Sequence, residues 1–168
     1  MIDLNRFRDA LINTDGTARD INFTPLTLAD CCGVVKSIFS HAAEGSVFDG
    51  HGNAVSCDAE IFLSTGISTR SVHAELTNVS RTFTELQCFL CFDDDSPFLE
   101  LTFFPEHVSH HNDALSEIVG FLSNIIRDTD VSEYFVRYQN ESWRFGDSTP
   151  GSGVIFTRSQ ITQLVNGV

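Results

Sequence analysis

CFLCFDDDSPFLELTFF, residues 88–104, sets a Cys-x-x-Cys beside three consecutive aspartates, all embedded in phenylalanine and leucine. It can be read as a metal knuckle or as a β-hairpin, and strand geometry separates the two. Side chains alternate along a strand, so Cys88 and Cys91, three apart, point to opposite faces and cannot share one ion. Phe89, Leu90 and Phe92 supply no turn former for a knuckle, and the chain has no second Cys-x-x-Cys. Asp93, Asp94, Asp95, Ser96 and Pro97 are turn formers, but they lack the alternating ligands, central glycine and closing glutamate of an EF-hand loop. The stretch is predicted as an antiparallel hairpin: two extended runs, 83–92 and 98–104, joined by an acidic turn that discourages edge-to-edge pairing with another chain.

Outward from the hairpin the chain reads as helices and strands in mixed order. Leu4, Phe7 and Leu11 follow a helical spacing behind Asp3, and Asp15 and Gly16 supply a turn. Residues 19–24 are an extended candidate. Thr27 and Asp30 form a capping box, whose hydroxyl and carboxylate satisfy free amides at a helix start. Leu28, Cys31, Cys32, Val35, Ile38, Phe39 and Ala42 then share one stripe, which buries both cysteines. FDGHGN, residues 48–53, reads as a loop between extended segments with His51 at its tip. Strands are expected at 59–65 and 70–77, and in the second Val72, Ala74 and Leu76 alternate with His73, Glu75 and Thr77.

Beyond the central hairpin, Leu115, Ile118, Val119, Leu122, Ile125 and Ile126 form a helical stripe that Asn112 can cap and Arg127 can close. Residues 132–139 and 141–146 read as a second hairpin, followed by a glycine-containing loop. Val154, Ile155 and Phe156 make a last strand. Thr157 and Gln160 form a capping box for a closing helix that carries Ile161, Leu164 and Val165. With no repeat and no linker, the expectation is a single α+β domain over residues 1–168, its mostly antiparallel sheet packed against helices.

The 168 residues are 42% hydrophobic and include 15 phenylalanines, enough for one substantial core. The formal charge is −13, and Lys36 is the one lysine. A nucleic-acid ligand is thereby disfavoured, because a phosphate backbone needs clustered Lys and Arg; a basic protein partner suits the charge. The start MIDLNRFRDAL lacks the basic region and apolar run of a secretory signal, and no stretch approaches the ~18 apolar residues of a membrane helix. A cytoplasmic protein is expected. Five cysteines, an odd count, fit reduced thiols rather than a disulfide framework.

Among possible sites, His107 and His111 stand four apart, as two zinc-binding imidazoles would on a helix, but the glutamate of His-Glu-x-x-His is missing. With His110 they read as surface histidines in a connection. Gly146-Asp147-Ser148 and Gly151-Ser152-Gly153 lack the full nucleophile elbow and the phosphate-loop lysine. No cofactor and no metal is called for.

Charge is more informative. From residue 93 to 147 there are 12 acids against three bases, a net of −9. Tyr134, Tyr138 and Trp143 are interleaved there with Glu133, Glu141 and Asp147, and aromatic anchors among carboxylates suit a protein interface as well as a core. The positions expected to meet a partner are Asp93, Asp94, Asp95, Glu133, Glu141, Trp143 and Asp147.

EYFVRYQNESWRFGDSTPGSGVIFTRSQ, residues 133–160, and the small acidic α+β character of the whole chain resemble the immunity proteins of bacterial contact-dependent growth inhibition systems. That resemblance implies a non-enzymatic cytoplasmic protein, made beside a toxin, that covers the active site of the cognate C-terminal toxin domain, a basic domain of nuclease type. It assigns no residue, so the positions named above rest on charge and aromatic content alone. Two other readings stay open: an acidic chaperone for a secreted effector, and a small metal-dependent hydrolase using His107, His110 or His111 with acidic neighbours.

Overall fold

The structure, a computed structural model, describes residues 4–139, 144–149 and 151–166. The quoted hairpin forms the middle of an eight-stranded antiparallel sheet. Its arms are β5 (Phe83–Asp93) and β6 (Ser96–Phe103), with Asp93 opposite Ser96. The turn is tighter than predicted: Asp94 takes a left-handed φ of 52°, which aspartate tolerates, and Ser96 and Pro97 already belong to β6.

The other strands are β1 (Arg19–Thr24), β2 (Glu44–Asp49), β3 (Ala54–Val55), β4 (Ser71–Val79), β7 (Glu133–Tyr138) and β8 (Val154–Thr157), in the order β3-β2-β4-β5-β6-β1-β7-β8. One transverse row of paired residues crosses the whole sheet: Val55, Val47, Ala74, Cys88, Leu101, Ile21, Val136 and Phe156. All but Val55 are fully buried, so this row marks the inner face. The helices α1 (Leu4–Ile12), α2 (Leu28–His41), α3 (Ala59–Thr69), α4 (Ala114–Ile125) and α5 (Arg158–Asn166) pack against the sheet.

Local signals account for much of this. The capping box at α2 forms as expected, with Thr27 Oγ1 accepting from the Asp30 amide at 3.1 Å and Asp30 accepting from the Thr27 amide at 3.2 Å. Its buried stripe is Cys31, Val34, Val35 and Ile38; Cys32 is half-buried and Leu28 exposed, so the helix is rotated toward Val34 relative to the predicted stripe. A second box opens α5, where Gln160 accepts from the Thr157 amide at 2.9 Å.

Three expectations are corrected. Residues 59–65 are not a strand but the first two turns of α3: Asp58 accepts from the Glu60 and Ile61 amides at 2.8 and 3.1 Å, and that cap commits a run whose β-branched and aromatic residues mimic a strand. Asn112 does not cap α4. It lies in a short 3-10 turn (His111–Asp113), and Asp113 stands at the cap without a side-chain bond. Residues 133–138 form a strand, but β7 pairs with β1 and β8; of the expected second arm, 141–143 lie outside the described residues and 144–146 form a turn.

Two packing contacts yield tests. Ile118 on α4 is fully buried, and Ile118→Ala is expected to cost about 3 kcal/mol through lost burial and a cavity, read as a lowered denaturation midpoint. Gly66 lets α3 approach β4 and β5 closely: a Cβ there would lie 2.9 Å from Val72 Cγ1 and 3.1 Å from Leu90 Cδ2. Gly66→Ala is therefore expected to destabilise by about 1 to 3 kcal/mol despite alanine's better helix propensity, which the same denaturation measurement checks.

Candidate functional site

Helices fill the inner side of the sheet, so its free surface is the outer face, which divides into an open and a covered half. Strand pairing builds the open half on β2, β4 and β5. Phe48 stands opposite His73, and His73 opposite Phe89. Neighbouring strands lie about 4.8 Å apart, so side chains in one row can stack. The Phe48 and His73 rings do so at 5.0 Å and 18°, and His73 and Phe89 at 5.5 Å and 17°. The flanking rows carry Ser46, Glu75 and Gln87, then Glu44, Thr77 and Glu85. Glu75 and Glu85 are exposed, facing only histidines: Glu75 lies 3.8 Å from His73 and Glu85 3.5 Å from His107. β2, β4 and β5 themselves carry no lysine or arginine, and Arg81 is exposed in the turn that joins β4 to β5.

The covered half, on β6, β1, β7 and β8, holds a buried polar network. Arg137 Nη2 bridges two carboxylates, Asp20 Oδ2 and Glu100 Oε2, each at 3.0 Å. Thr102 Oγ1 donates to Asp20 at 2.7 Å, Asn22 Nδ2 donates to Glu100 at 3.0 Å, and Arg137 Nε donates to Asn22 at 3.1 Å. Asp20, Thr102 and Arg137 occupy one row, so the register itself assembles the cluster. Burial, then the neighbouring Glu100, pushes the Asp20 carboxyl up to about 6 against the pull of Thr102 and Arg137. Phe145, between β7 and β8, lies over this half: its ring is 6.1 Å from Phe98 and 6.4 Å from Phe135.

The described sequence-derived positions are spread between the hairpin tip and the covered half. Asp93, Asp94 and Asp95 are exposed at the hairpin tip, where Arg70 reaches over to donate to the Asp94 carbonyl. Asp93 ends the β5 column that also carries Glu85 and Phe89. Glu133 is half-buried, and its carboxylate accepts from the Ser159 amide at 3.1 Å, at the N-terminal end of α5. Asp147 accepts from the Thr149 amide and hydroxyl at 2.9 and 2.8 Å, which holds its carboxyl pKa below the usual carboxylate range. Glu141 and Trp143 lie outside the described residues. Tyr134 is core, raised to about 12 chiefly by burial.

Cys88 is fully buried on the inner face and Cys91 exposed on the outer one, as the spacing required. Burial pushes the Cys88 thiol far up. His107 and His111 fall in separate 3-10 turns rather than on one helix. His110 pairs with Glu117 at 3.0 Å. Among the described residues no group of three or more His, Cys, Asp or Glu is placed to hold a metal ion. None of the described helices is long and apolar enough to cross a membrane.

No family model matches the chain, and no curated protein matches it. In shape it is similar to one chain of a solved complex from Pseudomonas aeruginosa, the toxic C-terminal tip of CdiA in complex with immune protein. The TM-score is 0.58 over 84% of this chain and 94% of that one, at 10% sequence identity, a likeness of fold to a component of a toxin–immunity complex.

Proposed function

We propose that the chain is an immunity protein of a contact-dependent growth inhibition system, which binds a basic toxin domain of nuclease type and blocks it without catalysis. The observation that carries this reading is the sheet's outer side, where acids from distant parts of the sequence stand on a helix-free surface. The fold likeness to a chain of a CdiA complex supports it. A nuclease must gather cationic groups to hold phosphate, and an acidic surface competes for those groups as a phosphate mimic.

Charge at an exposed rim acts on the rate of encounter more than on residence time, and it is screened beyond about 8 Å at physiological salt. Replacing Asp93, Asp94 and Asp95 by asparagine is expected to slow association with the toxin domain encoded in the neighbouring reading frame and to flatten its salt dependence, leaving stability unchanged. Stopped-flow association at several salt concentrations measures this. A wild-type association rate that ignores salt would count against electrostatic recognition.

A further inference from the structure

We infer that the open half of the outer face, on β2, β4 and β5, is the surface that meets the partner, and that the partner brings a segment bearing lysine or arginine. The inference deepens the immunity reading and rests on it. The stems of those basic side chains would lie along Phe48, His73 and Phe89, with their charged ends reaching Glu44, Glu75 and Glu85.

Several observations single out this half. The carboxylates of the covered half are already engaged within the protein: Asp20 and Glu100 on Arg137, Glu133 on the α5 amide and Asp147 on Thr149. At the hairpin tip, Arg70 partly offsets the aspartates. Among the described residues Glu75 and Glu85 pair with imidazoles alone, at 3.8 and 3.5 Å, and with no lysine or arginine, so both stay available to an incoming cation. The ring row supplies apolar contact beside the acids, the combination that a long amphipathic Lys or Arg side chain uses. Cys91 is exposed on the same face, which shows that the surface stays open toward the tip.

Size and charge fit one occupant. Strands about 4.8 Å apart, with about 3.3 Å of rise per residue over the 6, 9 and 11 residues of β2, β4 and β5, offer roughly 400 Å² of flat face before side-chain relief. That is about half of the roughly 800 Å² per partner of a stable complex, and side-chain relief and the hairpin tip add to it. A second copy of this chain is a poor occupant, since two such faces would set glutamate against glutamate.

The test compares three proteins against the neighbouring toxin domain: wild type, the triple variant Glu44→Gln, Glu75→Gln, Glu85→Gln, and Phe89→Thr, which keeps a strand-forming residue. Thermal unfolding first confirms that each is folded. The glutamine variant is expected to associate roughly tenfold more slowly at low salt and with weaker salt dependence. Phe89→Thr is expected to dissociate several-fold faster at nearly unchanged association rate. If wild type binds and protects cells while both variants match its rates, the partner docks elsewhere and this inference is overturned, with the immunity reading intact. If wild type neither binds nor protects, both fall together. Dimerisation of the wild type that the glutamine variant strengthens would assign the face to a second copy and likewise overturn the inference.

Discussion

Replacing Arg19 by methionine is expected to remove about 3 to 5 kcal/mol of stability, measured by chemical denaturation. Arg19 is fully buried at the start of β1, yet its guanidinium is engaged on every side. Nε donates to the Ala10 carbonyl at 2.7 Å, Nη2 to Asn13 at 3.0 Å, and Nη1 to the Thr17 carbonyl. Asp15 accepts from both terminal nitrogens, and the Tyr138 ring lies 4.6 Å away. The end of α1 and the loop to β1 are thus tied to the sheet by one side chain. Methionine would fill part of the volume but leave three carbonyls and a carboxylate without their donor, and unsatisfied buried acceptors are costly. Arg19→Lys is not expected to rescue, because an ammonium is a point charge that cannot reproduce the planar fork. Unchanged stability in both variants would mean that the loop closes without this residue.

A loss of similar size is expected for Arg137→Met, with a distinctive pH dependence. Removing the guanidinium leaves the buried Asp20 beside the half-buried Glu100, and one uncompensated buried charge costs about 3 to 5 kcal/mol at neutral pH. The sign follows from the direction of the Asp20 shift. Its folded-state value is raised to about 6, so between roughly 4 and 6 the folded protein holds a proton that the unfolded chain has released. This group therefore adds stability as pH falls from 7 toward 4 and withdraws it as pH rises. Without Arg137 the shift grows, so the variant's deficit is expected to shrink at pH 5, and Asp20→Asn in the same background to recover part of it at pH 7. A deficit constant from pH 5 to 8 would contradict the coupling.

The parts of the fold legible in the sequence are those whose cause is local. The hairpin around Asp94, β1, the capping box of Thr27 and Asp30 and the box that opens α5 each declare themselves within a few residues. α3 is hidden because Ile61, Phe62, Leu63 and Ile67 look like a strand, and the deciding signal, the Asp58 cap, stands only three residues before Ile61. For the candidate site, linear charge pointed to residues 93–147, whereas pairing of β2, β4 and β5 gathers Glu44, Glu75 and Glu85 from outside that segment. The stack of Phe48, His73 and Phe89 depends on register between three strands, which no single stretch encodes. Glu133 shows the converse: its engagement comes from a helix end that begins some 25 residues later.

The most direct measurement is growth of cells that produce the toxin domain from the neighbouring reading frame, with and without this protein, together with recovery of the complex from the survivors. Survival with a stoichiometric complex is the expected result, retained when Cys91 is replaced by serine and lost in step with binding in the Glu44, Glu75, Glu85 variant. Continued killing in cells that accumulate the folded protein, with no complex recovered, would contradict the immunity reading.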